Sequence, residues 1–318
     1  MTAPRQLWGV SLLKNEDRVA AWALGNVAPL LDRLLVLDNR STDRTGEVLR
    51  RLAAKHSHVE VIEVGDAYDT HRYVEDWAGR NVWVLAVDGD EVYDREGLAR
   101  LRPRLLDGEF DAHWRVTGHT LHLTGGDLGT VGIGHATPPA KSAARLYNFD
   151  AISSWPSGRS EGRHQRLHGK TMTFREGYGI DDILRLASEE PWEASDLRTL
   201  HLCFMPRSSQ RGFDQPGRAN AGETHRAARP LQRLEQLARR AVGLAPPAPT
   251  YKASRYAVGD IVTRPLQGFG LPSDHLDIDP EARTAEAVLR AALAPRPHLA
   301  EVAEPLPGTP ALLVEPGR

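Results

Sequence analysis

The first hundred residues alternate between short apolar runs of strand length and segments with the spacing of amphipathic helices. Four runs have strand length: Leu7 to Leu13, "RLLVLD" (33–38), "VEVIEV" (59–64) and 82–87. Helical segments separate them: one begins near Asn15 as its N-cap, one covers "STDRTGEVLRRLAAK" (41–55), and one lies at 69–79. Strands that alternate with helices at these lengths are typical of right-handed βαβ crossovers. The pattern therefore predicts an α/β fold with a mostly parallel sheet that helices cover on both faces.

Acidic residues follow two of the predicted strands. Asp38 ends the second strand, and the turn Asp88-Gly89-Asp90-Glu91 follows the fourth. Ligands bind at the carboxyl ends of strands in parallel sheets, so both clusters lie where a ligand is expected. Carboxylates on a loop without cysteine partners favour Mg²⁺ or Mn²⁺ over Zn²⁺, and Gly89 would let the backbone turn tightly. The alternative is an acidic surface turn that caps the next helix, with Glu91 and Asp94 exposed.

Composition excludes several classes of protein. The 318 residues are 41% hydrophobic and 26% charged, which is ordinary for a globular protein. The formal net charge of -2 provides no basic surface for nucleic acid or anionic lipid. The one cysteine, Cys203, excludes an internal disulfide framework and fits a reducing cytoplasm. No signal peptide and no apolar run of about 20 residues, the length of a membrane-spanning helix, is found. We therefore expect a soluble, cytoplasmic protein.

Three fragments, "VSLLKNED", "LLVLDNRSTDRTGEVL" and "WVLAVDGDE", occur in this order, each at a predicted strand end. Together they resemble the family 2 glycosyltransferases of the GT-A fold. The resemblance covers the first 100 residues or so, and the three-part match is more specific than any one fragment. It implies a Rossmann-like, mostly parallel central sheet flanked by helices, a nucleotide-diphosphate sugar as donor, and Mn²⁺ or Mg²⁺ as cofactor.

The resemblance also assigns residues to the nucleotide. Asp38 matches the aspartate that contacts the nucleobase in the family. Ser11, Asn15 and Glu16 match the loop after the first strand, which borders the nucleoside. Asp88, the first aspartate of the Asp-x-Asp element, is assigned to the nucleotide as well.

The metal ligands that the resemblance implies are Asp90 and His201. Asp90 is the second aspartate of the Asp-x-Asp element, and relatives often have a histidine comparable to His201 that completes the metal site. The alternative for His201 is a core histidine that bonds a backbone carbonyl. His119 and His122 lie three residues apart in a predicted strand, on opposite faces, so they are not expected to share a metal ion.

A general base is needed to take the proton of the acceptor hydroxyl. Several family members have a His-Glu pair where this chain has His164-Gln165 in "RHQRL". A glutamine amide does not accept a proton near neutral pH. Glu161 and the pair Asp181-Asp182 are therefore the candidate bases, of which one is expected to act, and a solvated loop acid is the alternative for each.

Changes in composition and in apolar pattern along the sequence predict four regions. Residues 1–110 form the donor-binding half of the GT-A domain, and residues 111–215, with short strands among Gly- and Ser-rich turns, form a mixed α+β acceptor-side half. Residues 216–293 are predicted to be a C-terminal helical appendage, and 294–318 a Pro-rich tail.

The main hypothesis is a metal-dependent glycosyltransferase of the hexosyltransferase type, with a UDP-sugar favoured by family frequency and inversion as the family's usual outcome. The acceptor is left open among a small molecule, a peptide and a lipid-linked glycan. The high content of Ala, Arg, Gly and Pro suits a high-GC bacterium. The oligomeric state is left open, a homodimer included.

Two alternatives belong to other classes. A sugar nucleotidyltransferase would have a Gly-rich loop after the first strand, and "LLKNED" contains no glycine. A catalytically degenerate, nucleotide-sugar-binding protein is consistent with Gln165. It would bind the donor without acceptor-dependent release of nucleoside diphosphate.

Overall fold

The computed structural model describes residues 4–65, 72–155, 172–210 and 255–294. Its strands are β1 (Gln6–Leu13), β2 (Arg33–Asp38), β3 (Val59–Glu63), β4 (Val82–Asp88), β5 (Glu91–Tyr93), β6 (Arg115–Thr117), β7 (His119–Gly126), β8 (Val131–Ala136), β9 (Arg145–Asn148), β10 (Ile152–Ser154), β11 (Thr173–Phe174), β12 (Ile183–Arg185), β13 (Arg198–His201) and β14 (Ile261–Pro265). Its helices are α1 (Ala20–Val27), α2 (Thr45–Lys55), α3 (Arg95–Leu106), the short α4 (Leu186–Glu189) and α5 (Ala282–Leu293). Within these ranges, no helix has the length and apolar character needed to cross a membrane.

Seven of the described strands form one large sheet in the order β12-β6-β9-β4-β1-β2-β3. β1 pairs in parallel with both β2 and β4, whereas β9 is antiparallel to both of its neighbours. Leu7 and Leu13 of β1 pack with residues of α1, α2 and α3, and Trp8 and Val10 pack in a second core on the opposite face. Both faces of the sheet are covered, which is why its central strands are continuously apolar. The predicted α/β class with a Rossmann-like, mostly parallel sheet is confirmed.

Five further strands of the described part form a second sheet in the order β14-β8-β7-β13-β5. β13 is parallel to β7 and antiparallel to β5, so His201 lies between His122 and Glu91 in the strand register. β5 follows β4 after only Gly89 and Asp90. The acidic turn therefore carries the chain from the large sheet into the second sheet. A further apolar core packs this second sheet against α1 and α5.

The first helix is more deeply buried than its sequence pattern predicts. The spacing of its apolar residues predicts one buried face, but all eight residues of α1 are buried. One side packs on the large sheet and the other on the second sheet, because Trp22 and Ala23 belong to the core beneath the second sheet while Leu24 belongs to the first core.

In two further regions the structure differs from the helices that the sequence predicts. The helix predicted at 69–79 is, in its described part, a 3₁₀ turn at Glu75–Trp77. The region 216–293, predicted as a helical appendage, contributes β14 to the second sheet as well as α5. Residues 295–318, most of the predicted Pro-rich tail, lie outside the described residues.

Asp94 anchors the end of the acidic turn. It is the N-cap of α3, where its Oδ1 accepts a hydrogen bond from the Gly97 N–H at 3.0 Å, and its Oδ2 accepts one from Arg198 Nε at 3.0 Å. Asp94 is 0% exposed and Arg198 is 7% exposed. Each charge compensates the other, so the pair holds β5, β13 and the start of α3 together. The sequence-based alternative was right that Asp94 caps a helix and wrong that it is exposed.

We expect Asp94→Ala to lower the free energy of unfolding by about 3–5 kcal/mol, because it leaves the Arg198 charge buried without compensation and removes a helix cap. Urea unfolding measures the change. Glu60→Gln is the control, since it breaks the Arg33–Glu60 ion pair in which the Glu60 side chain is 49% exposed. That change should cost less than about 1 kcal/mol. Equal losses for the two variants would contradict the anchoring role.

Candidate functional site

The carboxyl ends of β1, β2 and β4 meet where the strand order of the large sheet reverses. From β1 the chain passes to β2 and β3 on one side, whereas β4 lies on the other side of β1. In the strand register, Leu13 lies beside Asp38, and Leu12 lies beside Asp88. Open α/β sheets bind ligands at such a switch point. The structure therefore brings both acidic clusters to the edge where a ligand is expected.

The loop after β1 is fastened to the loop after β2. Asn15 has a φ of 54°, in the left-handed region that asparagine tolerates better than most residues. Its Oδ1 accepts a hydrogen bond from the Thr42 N–H at 2.7 Å, and its own N–H donates to Ser41 Oγ at 3.0 Å. The helix α1 begins only at Ala20, whose N–H donates to the Glu16 carbonyl at 2.8 Å. The prediction of Asn15 as a helix N-cap is therefore wrong, because its side chain bonds a neighbouring loop.

Asp38 and Ser11, both predicted to contact the nucleotide, lie in different surroundings. Asp38 is half-buried, and its Oδ1 accepts hydrogen bonds from the Ser41 N–H at 3.0 Å and the Ser41 hydroxyl at 2.6 Å, which orient the carboxylate. Ser11 lies inside β1 between Val36 and Val87 and is 0% exposed. Ser11 is therefore part of the strand and not of the loop after it, and its assignment to the nucleotide stays a prediction.

The acidic turn is buried. Asp90 is 4% exposed, Glu91 is 2% exposed, and Asp88 is half-buried. The alternative of a surface turn with an exposed Glu91 is therefore wrong. Gly89 lies in the two-residue turn between β4 and β5, as predicted, but its φ is not positive, so the backbone conformation alone does not require a glycine. A Cβ at Gly89 would lie 2.1 Å from Glu16 Oε2, so the glycine allows the Glu16 carboxylate to approach the turn.

Arg207 compensates two of the buried carboxylates. Its Nη1 donates to Asp90 Oδ2 and to Glu16 Oε1, the latter at 3.1 Å. Burial lowers the pKa of Arg207, but the charges of Asp90 and Glu16 outweigh this effect and raise the pKa above its ordinary value. Arg207 therefore stays charged, and the acidic turn already has a cation beside it. Sequence analysis assigned no role to this residue.

This arginine belongs to residues 202–210, the crossing segment, which runs over the carboxyl edge of the large sheet. Ser208 Oγ donates to Asp43 Oδ2 at 2.6 Å, and the Ser209 N–H donates to Asp17 Oδ1 at 2.7 Å. The sequence contains only a weak signal for the contact between this segment and the acidic residues. The Arg-Ser-Ser sequence follows the apolar run of β13, but nothing local relates it to acidic residues as much as 192 positions earlier.

A second arginine, Arg145 of β9, faces the other end of the turn. Its Nη1 lies 4.0 Å from Glu91 Oε1, and both side chains are buried. Burial raises the pKa of Glu91 well above its ordinary value, and the charge of Asp88 raises it further, outweighing the guanidinium of Arg145. Glu91 therefore keeps its proton more readily than an exposed glutamate does.

His201 lies where β13 meets both the acidic turn and β7. Its Nε2 is 3.7 Å from Asp90 Oδ2, and its Nδ1 is 2.9 Å from the Nδ1 of His122. His122 Nε2 lies 3.0 Å from the Lys141 carbonyl oxygen, and burial lowers the pKa of His122 to about 4, so its imidazole is neutral at neutral pH. His119 bonds elsewhere, as its separation from His122 predicts. The sequence did not reveal that His122 faces His201.

The geometry of Asp90 and His201 fits one divalent ion. Metal–ligand bonds of about 2.1 Å allow two ligand atoms to lie up to about 4.2 Å apart. Asp90 Oδ2 and His201 Nε2 are 3.7 Å apart, within that limit. Because Arg207 bonds the same Asp90 oxygen, an ion in this position would share the carboxylate with the guanidinium.

The candidate bases do not come together at this edge. Glu161 lies outside the described residues. Asp181 and Asp182 immediately precede β12, which runs parallel to β6, and the Asp182 carbonyl accepts a hydrogen bond from the N–H of Trp114, just before β6. Because β6 has the same direction as β4, both aspartates lie at the amino ends of these strands. The structure thus places them at the edge opposite to Asp88 and does not bring them together with the acidic turn.

Comparisons with known proteins find similar solved structures. No protein-family model matches the chain, and no curated protein matches it either. TarS 1–349 from S. aureus in complex with UDP shares 14% identity at a TM-score of 0.35, over 51% of this chain and 52% of that chain. This chain therefore spans about half of the TarS fragment.

Glucosyl-3-phosphoglycerate synthase from Mycobacterium tuberculosis is similar over more of its length. Its complex with Mn²⁺, UDP and glucosyl-3-phosphoglycerate shares 16% identity at a TM-score of 0.37, over 82% of this chain and 87% of that chain. Its complex with Mg²⁺ and UDP shares 16% identity at a TM-score of 0.39, over 80% and 81%. At such identities and TM-scores the similarities carry no argument. The fold description rests on the sheet order of this chain, and the function on its site.

We expect Arg207→Met to lower the free energy of unfolding by about 3–5 kcal/mol, because it leaves the Asp90 and Glu16 charges buried without a cation. Chemical denaturation measures the loss. Arg175→Met, which removes an exposed ion pair with Asp150, is the matched control and should cost less than about 1 kcal/mol.

A double-mutant cycle tests the cause of that loss. Adding Glu16→Gln to Arg207→Met removes one of the two uncompensated charges, so the double variant should recover part of the lost stability. Strictly additive losses would show that Arg207 acts through packing rather than through its charge.

Proposed function

We propose that this protein transfers a sugar from a nucleotide-diphosphate donor, with a UDP-sugar as the first choice, to the hydroxyl of an acceptor. The observation that supports the proposal is the convergence of Asp38, Asp88 and Asp90 at the switch point of the large sheet. Carboxylates at this edge suit hydroxyl and amide donors of a nucleoside and a metal ion on its diphosphate.

The donor would lie across the ends of β1, β2 and β4. Asp38, oriented by Ser41, would accept hydrogen bonds from the base, and Asn15 and Glu16 would border the nucleoside. Asp88 would contact the ribose. In this arrangement Glu16 acts through its hydrogen bond with Arg207 of the crossing segment, since the residue is only 3% exposed.

Asp90 and His201 would hold Mn²⁺ or Mg²⁺. Such an ion would neutralise the negative charge that develops on the departing diphosphate. The guanidinium of Arg207, bonded to Asp90, adds a fixed positive charge beside the same carboxylate. Direct displacement at the anomeric carbon would invert its configuration, and Glu161 remains the candidate base.

A second candidate function is donor binding without turnover. The observation that favours it is the position of Asp181 and Asp182 at the opposite edge of the sheet. Of the candidate bases within the described residues, neither Asp181 nor Asp182 lies near Asp88. This candidate predicts nucleotide binding of ordinary affinity and no release of nucleoside diphosphate on addition of acceptors.

Thermal melting with UDP, GDP, dTDP and CDP, each with Mn²⁺, Mg²⁺ or a chelator, tests donor binding. UDP is the first probe because a UDP-sugar is the first choice of donor in this proposal. A ligand at about 100 times its Kd adds about 2.7 kcal/mol to the free energy of unfolding, so the melting temperature should rise by several degrees. Asp38→Asn should lose most of this rise, since it removes the carboxylate proposed to grip the base.

Asp182→Asn is the matched control, and it should keep the full rise because Asp182 lies at the other edge. If no nucleotide raises the melting temperature with either metal, the donor site is wrong. If UDP binds but UDP-sugars release no UDP with any hydroxyl acceptor in a panel of sugars, peptides and lipid-linked glycans, the binding protein without turnover is favoured.

A further inference from the structure

Three buried side chains with nitrogen or sulfur ligand atoms lie close together near the acidic turn. The parallel register of β13 and β7 places His201 beside His122, and Cys203 follows His201 by two residues. One ligand atom from each of these side chains lies within 4.8 Å of the other two. The three residues come from positions 122 to 203, so the second sheet and not the local sequence brings them together.

The orientation of the two imidazoles is that of metal ligands. Their Nδ1 atoms face each other at 2.9 Å, and their Nε2 atoms point outward, towards the Lys141 carbonyl at 3.0 Å and Asp90 Oδ2 at 3.7 Å. A neutral imidazole has one N–H and one lone pair. In the structure the 2.9 Å between the two Nδ1 atoms is the length of a hydrogen bond, with one proton between them. When the N–H of each ring is on Nε2, both Nδ1 lone pairs point into the cluster. Histidines that bind metals almost always donate their other N–H to a carbonyl or a carboxylate in this way.

We propose that His122 Nδ1, His201 Nδ1 and Cys203 Sγ bind a transition-metal ion such as Zn²⁺ or Co²⁺. Imidazole and thiolate favour these ions over Mg²⁺, which prefers oxygen. Binding releases the thiol proton of Cys203, and the proton between the two Nδ1 atoms moves to the Nε2 of the ring that carried it, so that each bound imidazole stays neutral. Three protein ligands leave a further coordination position for water or another ligand.

The surroundings of Cys203 favour a thiolate and cover the cluster on one side. Arg207 lies within electrostatic reach of Cys203, and a neighbouring cation favours the thiolate form. The half-buried ring of Tyr256 packs against both imidazoles, with centroid distances of 4.7 Å to His122 and 4.8 Å to His201. One side chain thus covers the cluster on that side.

This centre is distinct from the divalent-ion site proposed for the donor, and it does not depend on the proposed function. The two share His201 but use different nitrogens. An ion on Nδ1 leaves the proton on Nε2, which faces the Asp90 carboxylate at 3.7 Å. Asp88 and Asp90 remain available to a donor-bound ion, whereas His201 does not bind both ions at once, because its Nε2 then carries a proton.

Titration of the chelator-treated, full-length protein with Co²⁺ tests the centre. Because the chain has one cysteine, a thiolate-to-cobalt charge-transfer band can arise only from Cys203. We expect a stoichiometric band that Zn²⁺ abolishes by displacement. Cys203→Ser should lose the band and bind Co²⁺ at least about 10-fold more weakly, since loss of even a second-shell partner costs 10–100-fold. His122→Asn should weaken binding by a similar factor.

His135→Asn is the matched control. His135 of β8 is paired with His122 in the register of the second sheet, but its Nδ1 lies 3.1 Å from the Gly259 carbonyl oxygen and it is not part of the cluster. This variant should bind Co²⁺ as the wild type does. Circular dichroism and the melting temperature establish that each variant folds, and Cys203→Ala serves if Cys203→Ser does not.

The proposal is overturned if the folded wild type binds no Co²⁺, or binds it without the charge-transfer band. It is also overturned if a folded cysteine variant keeps wild-type affinity. A UDP titration of the same samples separates the two proposals. UDP binding without the cobalt band rejects the metal centre alone, and the band without binding of any nucleotide rejects the donor site alone.

Discussion

The guanidinium of Arg207, held between the buried carboxylates of Asp90 and Glu16, determines how the rest of the candidate site is arranged. Neither carboxylate could be buried at low cost without a compensating cation. That cation comes from the chain beyond β13, so residues 202–210 must run across the carboxyl ends of the parallel strands. The pairing of β13 with β5, directly before this segment, places His201 beside the acidic turn.

The acidic turn belongs to both sheets, since β4 enters it from the large sheet and β5 leaves it into the second. A ligand at the turn would therefore contact loops from one sheet and strand ends from the other. Such a junction suits a transferase, which must hold two reactants in a defined orientation. His201 connects the two sides, because one ring nitrogen faces Asp90 and the other faces His122.

Local patterns predict those parts of the site that depend on neighbours in the sequence. The strands end where the apolar runs end, so the positions of Asp38 and Asp88 at one edge follow from the pattern and from the geometry of parallel sheets. Local reasoning fails where a side chain finds a distant partner. Asn15 has the sequence context of an N-cap but bonds the loop after β2, and Asp94 has that of a surface cap but pairs with the buried Arg198.

The sequence by itself determined the alternation of strands and helices and the acidic strand ends, because both depend on residue periodicity over a few turns or a few residues. Only the tertiary structure decided that Arg207 neutralises Asp90 and that His122 faces His201. These partners are 117 and 79 residues apart in the chain. Contacts at such separations depend on which strands lie side by side and in which direction they run. That order follows from the packing of the whole chain, and no local pattern contains it.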